Sequence, residues 1–334
     1  MRILVTGGAG FIGSYFIHYA LARGETIINV DKLSYASNRK NLLDIENSPR
    51  YFFEQADILN REKIAYILGR YKPSAVLHFA AETHVDHSID RPDDFISNNI
   101  LGTYTLLSAV LEYWRQLPPL EAKLFRFHQI STDEVYGELV DNAPLNMEGA
   151  AYCPSSPYSA SKAAADHLVR AWFKTYGLPV ITSYSSNNYG PKQYPDKLIP
   201  LIIKNALASK PLPIYGRGEQ LRDWLFVEDH VAAIYLVLTQ GVVGEGYHIS
   251  ANNSQRNIDV VIKICEILDD IHPNPSFNYK KLINFVDDRL GHDRRYGIDS
   301  EKLIKELGWK PMVSFDIGLR QTISWYISHK DRYP

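Results

Sequence analysis

The sequence predicts an α/β protein built on a parallel, doubly wound β-sheet, with a smaller second region in its C-terminal half. Short apolar runs alternate with amphipathic stretches through residues 1–187, and a glycine-rich turn separates the first run from the first amphipathic stretch. Continuous apolar strands indicate a sheet covered on both faces, and right-handed crossovers between such strands produce double winding. With 334 residues, the chain can form one large domain or two smaller ones.

Six strands and four helices are predicted in this first part of the chain. The strands are expected at 2–6, 26–30, 51–55, 75–80, 124–130 and 179–185, and the helices near 11–23, 60–70, 94–114 and 158–176. Further along the chain, the pattern predicts a helix at 228–240 that returns to the main sheet, a strand at 246–249 and a helix at 257–269.

The composition changes after residue 187 and predicts a second domain that is interleaved with the first. Residues 187–200 are rich in Pro, Gly, Tyr and Asn, which favour turns and loops. We therefore predict one domain from residues 1–187 and about 224–250, and a smaller C-terminal substrate domain from about 188–223 and 251–334.

Charge and composition narrow the class of function and the compartment. The net charge of −2 predicts no broad attraction to nucleic acid or to an anionic membrane. The N-terminal apolar stretch is too short for a secretory signal, and no run of about 18 apolar residues predicts a membrane span. The two cysteines, Cys153 and Cys265, do not make a disulfide framework, so we expect a reducing compartment and a cytoplasmic protein.

The turn GGAGFIG at residues 7–13 predicts a dinucleotide site of the Rossmann type. Gly7, Gly10 and Gly13 have the spacing G-x-x-G-x-x-G between a predicted strand and a predicted helix. Glycine permits a tight turn and a close approach of the backbone to a pyrophosphate, whose charge meets the N–H groups that open the helix. A glycine turn alone is weak support, but the strand before it and the helix after it favour this interpretation.

Asp31, at the end of the second predicted strand, indicates NAD rather than NADP. An acid at this place can accept hydrogen bonds from both hydroxyls of the adenosine ribose and repels a 2′-phosphate. The alternative is an aspartate that only caps a turn. Asp57 and Ile58 follow the third predicted strand, and we expect them to flank the adenine.

Tyr158 and Lys162 are the candidate pair for proton transfer. They lie four residues apart in YSASK, on one face of a predicted helix. A nearby ammonium and a positive nicotinamide ring are expected to lower the pKa of Tyr158 from its usual value of about 10, so that the phenolate can take a proton from a sugar hydroxyl. Lys162 can also hold the nicotinamide ribose. The alternative is an exposed pair on a polar helix face.

Two adjacent acids, Asp133 and Glu134, follow Thr132 at the end of the fifth predicted strand. A surface turn is the simplest explanation for such a pair. Neighbouring carboxyls can instead divide acid and base work, provided that like-charge proximity and partial burial let one of them keep its proton.

These motifs together resemble the extended short-chain dehydrogenase/reductase family, and within it the dTDP-glucose 4,6-dehydratases. The likeness covers nearly the whole chain and lies in GGAGFIGS, VDKLSYASNRKNL, FAAETHVDHSID, STDEVYG, PYSASKAAADHLV, SNNYGPKQYPDKLIP, LPIYGRGEQLRDWLFVEDH and GHDRRYGID. The resemblance implies dehydration of dTDP-glucose to dTDP-4-keto-6-deoxyglucose with tightly bound NAD. Hydride leaves C4, water is lost across C5 and C6, and the hydride returns to C6.

The resemblance also implies a role for each residue of the candidate site. Glu134 would be the base at C5, Asp133 the acid at C6, and Thr132 a partner of the C4 hydroxyl beside Tyr158. The first domain would hold NAD and the second the nucleotide sugar.

Both binding sets follow from these motifs. The NAD-binding residues are predicted as Gly7, Gly10, Phe11, Ile12, Gly13, Asp31, Lys32, Leu33, Ser34, Asp57, Ile58, Ala80, Ala81, Thr83, Asn98, Tyr158, Lys162 and Asn188. The substrate-binding residues are predicted as Thr83, Thr132, Asn187, Lys197, Leu198, Pro213, Ile214, Tyr215, Arg222, Asn257, Arg289 and His292.

Other functions remain open at this point. A dehydratase of another nucleotide sugar such as UDP-glucose shares every motif above, whereas an NAD-dependent nucleotide-sugar epimerase has no use for Asp133 and Glu134. A non-catalytic NAD-binding sensor or scaffold would be expected to have lost Tyr158 or Lys162, and both are present.

The segment THVDH supplies His84, Asp86 and His87, which are too closely spaced for a good metal site, so no metal is predicted. The chain departs from the bacterial enzymes of the family at His87, where Arg is usual, and at Leu290, where Pro is usual. The first change removes a permanent cation. The second alters the stiffness of a loop beside the expected diphosphate site.

The predicted helices at 94–114 and 158–176 are expected to lie side by side. Related enzymes pair them with the same helices of a second subunit. The resemblance therefore implies a C2 homodimer held by a four-helix bundle.

Overall fold

A single parallel sheet organises most of the chain in the computed structural model, which describes residues 1–330. Its strands are β1 (Arg2–Thr6), β2 (Thr26–Asp31), β3 (Tyr51–Gln55), β4 (Ala75–His78), β5 (Arg126–Thr132), β6 (Val180–Ser185) and β10 (Gly246–Ile249). The strands lie in the order β3-β2-β1-β4-β5-β6-β10, and each neighbouring pair is parallel. The order reverses at β1, which confirms the predicted doubly wound, Rossmann-type sheet.

Helices cover both faces of this sheet. The helices of the chain are α1 (Phe11–Ala22), α2 (Arg61–Tyr71), α3 (Val85–Asp90), α4 (Pro92–Phe95), α5 (Gly102–Arg115), α6 (Pro119–Leu124), α7 (Pro157–Tyr176), α8 (Leu198–Leu207), α9 (Val227–Gln240), α10 (Asn257–Ile271), α11 (Glu301–Leu307) and α12 (Phe315–Ser328). Short 3₁₀ helices occupy Arg39–Ile45, Asp133–Tyr136 and Tyr279–Leu282.

Two apolar cores lie on opposite faces of the sheet, because side chains alternate along each strand. In β1, Ile3 and Val5 belong to the core covered by α1 and α9, whereas Leu4 belongs to the core covered by α2, α5 and α7. Every one of these side chains is fully buried. This two-sided burial explains why the strands are continuous apolar runs in the sequence.

The predicted helix at 94–114 is wrong as a single α-helix. The chain instead forms α4, then a π-helical turn at Ile96–Leu101, and then α5. The side chain of Asn99 in this turn contacts a neighbouring loop and α7. Its Nδ2 donates to the Glu82 carbonyl at 2.9 Å and to Ser161 Oγ at 2.8 Å. These contacts hold the wider turn open and carry Asn98 to the cavity described below.

Two predicted strand boundaries also differ from the structure. β4 ends at His78 rather than at residue 80, and Phe79 and Ala80 line the cavity beyond the sheet edge. β5 runs from Arg126 to Thr132 rather than from 124 to 130, because Pro119 opens the short helix α6, which takes in Leu124.

Two small sheets lie next to the large one. β7 (Asn187–Tyr189) is parallel to β9 (Leu221–Phe226), and β11 (Ser254–Arg256) is antiparallel to β9. β8 (Leu212–Tyr215) is parallel to β12 (Ile283–Val286). A third core, with side chains from α8, α10 and α12, packs around these strands. The division into two domains stays a prediction, and residues 331–334 of the second one lie outside the described residues.

The chain passes between the large sheet and the three-stranded sheet at short joints. Ser186 alone separates β6 from β7, and α9 begins at Val227 directly after β9 ends at Phe226. The third joint, residues 250–253, links β10 to β11 and is tied to β9, because the Asp223 carboxylate accepts the backbone N–H groups of Ala251 and Asn253 at 2.8 and 2.5 Å. Within residues 1–330, no helix has the length and apolar character needed to cross a membrane.

Candidate active site

A cavity of about 670 Å³ lies at the carboxyl ends of the central strands and extends toward the smaller sheets. Nearly all the residues predicted for the cofactor and the substrate line it; Leu33 and Asp57 do not. Its position follows from the topology, since loops at the carboxyl ends of parallel strands meet where the strand order reverses.

The glycine turn forms one wall of the cavity. Gly7 has a φ of +71°, and a Cβ atom there would lie 2.7 Å from the Ala80 nitrogen. A Cβ atom on Gly13 would lie 2.4 Å from the Gly7 carbonyl oxygen. Helix α1 begins at Phe11 without a side-chain cap, so the N–H groups of its first turn are available to an anion. The turn therefore fits a dinucleotide pyrophosphate.

Asp31 caps a turn, which was one of the two alternatives, and it also faces the cavity. Its Oδ2 accepts the Ala9 N–H at 2.9 Å, and its Oδ1 accepts the Leu33 N–H at 2.7 Å and the Ser37 hydroxyl at 2.9 Å. The carboxylate thus braces the loop and also lines the cavity. With both oxygens oriented by the backbone, it is placed to receive ribose hydroxyls.

Leu33 and Asp57 are the two predicted NAD-binding residues that do not line the cavity, and their contact with NAD stays a prediction. Leu33 adopts a φ of +63°, and its side chain packs against the apolar core on the α1 side. Asp57 accepts the Leu59 N–H at 2.9 Å and faces a separate, shallower depression with Lys32 and Asn60. In both cases the local turn directs the side chain away from the cavity.

Thr132, Asp133 and Glu134 lie where β5 ends and the 3₁₀ helix Asp133–Tyr136 begins. Thr132 Oγ1 accepts the Glu134 N–H and donates to Asp133 Oδ1, both at 3.3 Å. Asp133 is only 3% exposed, and Glu134 is partly buried. Both carboxyls line the cavity, which excludes a solvent-exposed surface turn.

The environment gives the two acids different proton affinities. Burial raises the pKa of Asp133 well above its usual range, and the neighbouring Glu134 charge raises it further. Burial also raises the pKa of Glu134, but the cations Arg222, Arg289 and Lys197 oppose that change. This difference favours a protonated Asp133 beside an ionised Glu134.

Tyr158 and Lys162 lie in the first turns of α7, which Ser156 opens through a reciprocal capping box with Ser159. Tyr158 is 7% exposed and Lys162 is 6% exposed, so the pair is not an exposed pair on a polar face. Lys162 Nζ donates to the Ile130 carbonyl at 2.7 Å. Both side chains therefore point into the sheet edge that carries the acids.

The expected low pKa of Tyr158 is not found in the protein alone. Burial raises the pKa of this phenol, and the negative charges of Glu134 and Asp133 raise it further, whereas a hydrogen bond with Thr132 opposes them. Burial also lowers the pKa of Lys162. The prediction considered a cationic partner four residues away and left out the acids that the fold places beside the phenol.

The outer end of the cavity is cationic. Arg222 is held by the Asp293 carbonyl at 2.7 Å and lies over the Tyr296 ring at 4.3 Å. Arg289 approaches Asp86 at 3.5 Å, and Lys197 Nζ donates to the Thr83 carbonyl at 2.8 Å. Three cations lining one end of a cavity suit a diphosphate group.

Several buried polar atoms of the cavity wall have no hydrogen-bond partner among residues 1–330. These atoms are Asp133 Oδ2, Ser186 Oγ, Asn187 Oδ1, Asn188 Oδ1, Gln193 Oε1, Trp224 Nε1, Asn257 Oδ1 and Arg289 Nε. Buried polar groups in folded proteins are almost always paired. Their grouping along one cavity indicates that a polar ligand completes the site.

The sequence missed several residues that line the cavity. They include Ser37, Glu82, His84, Asp86, Ser131, Gln193, Tyr194, Asp196, Trp224 and Tyr296. Glu82 pairs with Lys32 at 3.5 Å, and Lys32 Nζ also donates to Asn98 Oδ1 at 2.9 Å. The position of Glu82 shortly after β4 could have predicted that it lines the cavity, because polar residues that follow parallel strands meet at the same sheet edge.

The two departures from the family pattern lie in different surroundings. The His87 ring stacks on His84 with centroids 4.2 Å apart and lies 5.4 Å from the Tyr35 ring. Leu290 is 75% exposed and does not line the cavity. In the described part of the chain, no group of three or more His, Cys, Asp or Glu side chains could hold a metal ion.

The fold and the dinucleotide site together define an NAD-dependent enzyme of the extended short-chain dehydrogenase/reductase class, and this member has an additional acid–base pair. Residues 4–322 match the model of the family described as GDP-mannose 4,6 dehydratase. The dTDP-glucose 4,6-dehydratase 1 of Escherichia coli K12 is 54% identical over 98% of this chain and 93% of its own length.

Solved structures agree with this match. The dTDP-glucose 4,6-dehydratase of Bacillus anthracis, in complex with NAD, has a TM-score of 0.87 and 43% identity, and covers 100% of this chain and 98% of its own. The Streptomyces venezuelae enzyme of the same name, with NAD bound, has a TM-score of 0.90 and 40% identity over 100% of this chain and 99% of its own. The chain belongs to the family of dTDP-glucose 4,6-dehydratases.

Proposed function

We propose that the protein dehydrates dTDP-glucose to dTDP-4-keto-6-deoxyglucose. The observation that carries this proposal is the pair of a buried Asp133 and a partly buried Glu134 on the same cavity wall as Tyr158. When bound, NAD accepts a hydride from C4 of the hexose and returns it to C6. An epimerase returns the hydride to C4 and has no elimination step, so this acid–base pair favours a dehydratase.

The glycine turn and its surroundings fit NAD. The three glycines Gly7, Gly10 and Gly13 leave room for the pyrophosphate, and Asp31 would accept hydrogen bonds from the ribose hydroxyls. The adenosine side comprises Phe11, Ile12, Lys32, Ser34 and Ile58, with Leu33 and Asp57 behind that wall, and the nicotinamide side comprises Ala80, Ala81, Thr83, Asn98, Tyr158, Lys162 and Asn188.

The protein's own residues would then move three protons. Tyr158, as phenolate, takes the proton of the C4 hydroxyl, and Thr132 hydrogen-bonds to the same pair of oxygens. Glu134 takes the proton from C5, which the adjacent ketone makes acidic. Asp133 gives its proton to the C6 hydroxyl, which leaves as water, and Glu134 returns its proton to C5 when C6 is reduced.

The cationic end would bind the nucleotide. Arg222, Arg289 and Lys197 face the diphosphate, and Asn187 and Thr83 face the hexose. The nucleoside would contact Leu198, Pro213, Ile214, Tyr215, Asn257 and His292. dTDP and UDP differ by one methyl group on the base and one hydroxyl on the ribose. Since a methyl group is worth only about 1–3 kcal/mol, UDP-glucose should bind more weakly rather than be rejected.

Label transfer tests the proposed reaction. With dTDP-glucose deuterated at C4, the deuterium is expected to appear at C6 of a 4-keto-6-deoxy product without net NADH, because one hydride is taken and returned within each turnover. Mass spectrometry and NMR of the product measure this. Deuterium retained at C4 would point to an epimerase, and deuterium accumulating in free NADH to a simple dehydrogenase.

We also propose a C2 homodimer in the cytoplasm. Ile96, Leu101 and Tyr104 on the π-helical turn and α5, together with Tyr176 on α7, leave large apolar groups exposed on neighbouring helices. Their pairing with the same helices of a second copy would bury them. Sedimentation equilibrium at micromolar concentration is expected to give twice the chain mass, and a monomer mass would contradict the dimer.

A further inference from the structure

The proposed reaction leaves two side chains of the site in the wrong protonation state for the next turnover. Tyr158 gains a proton from the C4 hydroxyl, and the product keeps a ketone at C4, so that proton is not returned to the sugar. Asp133 gives its proton to the departing water. Glu134 gains a proton from C5 and returns it. After one turnover, Tyr158 therefore holds one proton too many and Asp133 one too few.

Exchange with bulk water would be a slow way to correct this imbalance while the product fills the cavity, because both groups are otherwise buried and face only that cavity. Tyr158 is 7% exposed and Asp133 3% exposed. Lys162, the other candidate neighbour, donates to the Ile130 carbonyl, which accepts a hydrogen bond but cannot pass a proton onward. A protein group that contacts both Tyr158 and Asp133 is therefore the better candidate.

Thr132 is such a group. Its hydroxyl donates to Asp133 Oδ1 at 3.3 Å. Thr132 lines the cavity with Tyr158 and is near enough to the phenol to lower its pKa. A hydroxyl is both a donor and an acceptor, so it can take one proton while giving up another. The backbone of β5 and the capping bond from the Glu134 N–H fix its place between them.

We propose that Thr132 relays a proton from Tyr158 to Asp133 at the end of each turnover and thereby resets the site, an inference that rests on the proposed function. The Tyr158 O–H bond breaks as a new bond forms to Thr132 Oγ1, whose own proton passes to Asp133 Oδ1. The relay restores the phenolate and the carboxylic acid, and it needs no further reactant.

The charges around the three residues favour this direction once the product has formed. Burial and the Glu134 charge favour the acid form of Asp133. The negative charges of Glu134 and Asp133 raise the pKa of Tyr158. Protonation of Asp133 removes one of these charges, and the positive charge of an oxidised nicotinamide favours the Tyr158 phenolate. The same proton is therefore held by Tyr158 while the ring is reduced and by Asp133 when it is oxidised.

Comparison of Thr132→Val with Thr132→Ser in the holoenzyme tests the relay. Thr132→Val is nearly isosteric but lacks the hydroxyl, whereas Thr132→Ser keeps it. Rapid quench with dTDP-glucose separates the first turnover, which starts from a reset site, from later ones. In Thr132→Val the later turnovers are expected to be about 10²-fold slower than the first, and Thr132→Ser should keep the wild-type ratio.

Infrared difference spectroscopy supplies a readout that does not depend on rate. The carbonyl band of protonated Asp133, assigned by its loss in Asp133→Asn, should return with product formation in the wild type and in Thr132→Ser. In Thr132→Val it should return only slowly after the product has formed. Equal slowing of first and later turnovers, with prompt return of the band, would overturn the relay. Absence of any 4-keto-6-deoxy product from the wild type would instead overturn the proposed function.

Discussion

Replacement of Glu134 by glutamine is expected to slow the loss of water by about 10²–10⁴-fold while leaving C4 oxidation nearly intact. Glutamine keeps the shape of the side chain but cannot take the C5 proton. Oxidised sugar and NADH should then accumulate on the protein. Absorbance of bound NADH after mixing with dTDP-glucose measures the oxidation, and exchange of the C5 hydrogen with deuterated water measures the action of the base.

The exposed Glu138, four residues further on, provides the matched control. Glu138→Gln removes the same charge outside the cavity and should leave every step unchanged. Asp133→Asn should show the complementary defect, with C5 exchange retained and water loss blocked. If Glu134→Gln slowed oxidation and elimination equally, Glu134 would not be the base at C5.

The protonation of Asp133 determines whether the rate of water elimination falls at high or at low pH. The raised pKa of Asp133 means that its acid form, which the elimination needs, persists above the usual range of a carboxyl group and is lost as the pH rises through the folded-state pKa. Asp133→Asn should remove this alkaline loss from the pH profile of the residual elimination.

Gly13→Ala is expected to weaken the binding of NAD. The added Cβ would lie 2.4 Å from the Gly7 carbonyl oxygen and 2.8 Å from the Gly8 Cα. Both neighbours are backbone atoms, so the turn must open to relieve the clash. Overpacking of this kind is worth about 1–3 kcal/mol, which corresponds to roughly 10–10²-fold weaker binding. The NAD content of the purified protein after desalting measures the loss.

Gly69 offers a control with the opposite expected sign. It lies inside α2, and a Cβ atom there would meet no heavy atom within 4 Å. Gly69→Ala should raise the free energy of unfolding by about 0.5–1 kcal/mol through helix propensity and keep the full complement of NAD. Full NAD occupancy in Gly13→Ala would show that the turn does not hold the pyrophosphate.

Local patterns in the sequence predicted the sheet well, because most of its strands are buried on both faces and are therefore mainly apolar; β3, with exposed Phe52, is an exception. They did not predict the break at Ile96–Leu101, whose cause lies in contacts of Asn99 with Glu82 and Ser161, residues that are distant in the sequence. Apolar spacing alone cannot distinguish such a segment from a continuous α-helix.

The candidate site shows the same limit. Residues in motifs, such as Gly13 and Asp133, were predicted from their positions at strand ends. The contact of Tyr35 with Asp196 joins residues 161 positions apart, and no local pattern marks it. The acids that raise the pKa of Tyr158 were not predicted as its neighbours for a related reason, since they approach it only through the fold.

The three short joints between the large and the three-stranded sheets affect how the protein could fail to complete its reaction. With Ser186 as the whole of one link and Asp223 bound to the backbone of another, the glycine turn and the cationic wall are joined by little unconstrained chain, and we expect them to move together. Alignment of the reacting carbons is then settled at folding and is not re-established by closure in each cycle. A substitution that disturbs a joint should therefore uncouple oxidation from reduction. Oxidised sugar and reduced coenzyme should accumulate even though the residues that bind each of them are unchanged.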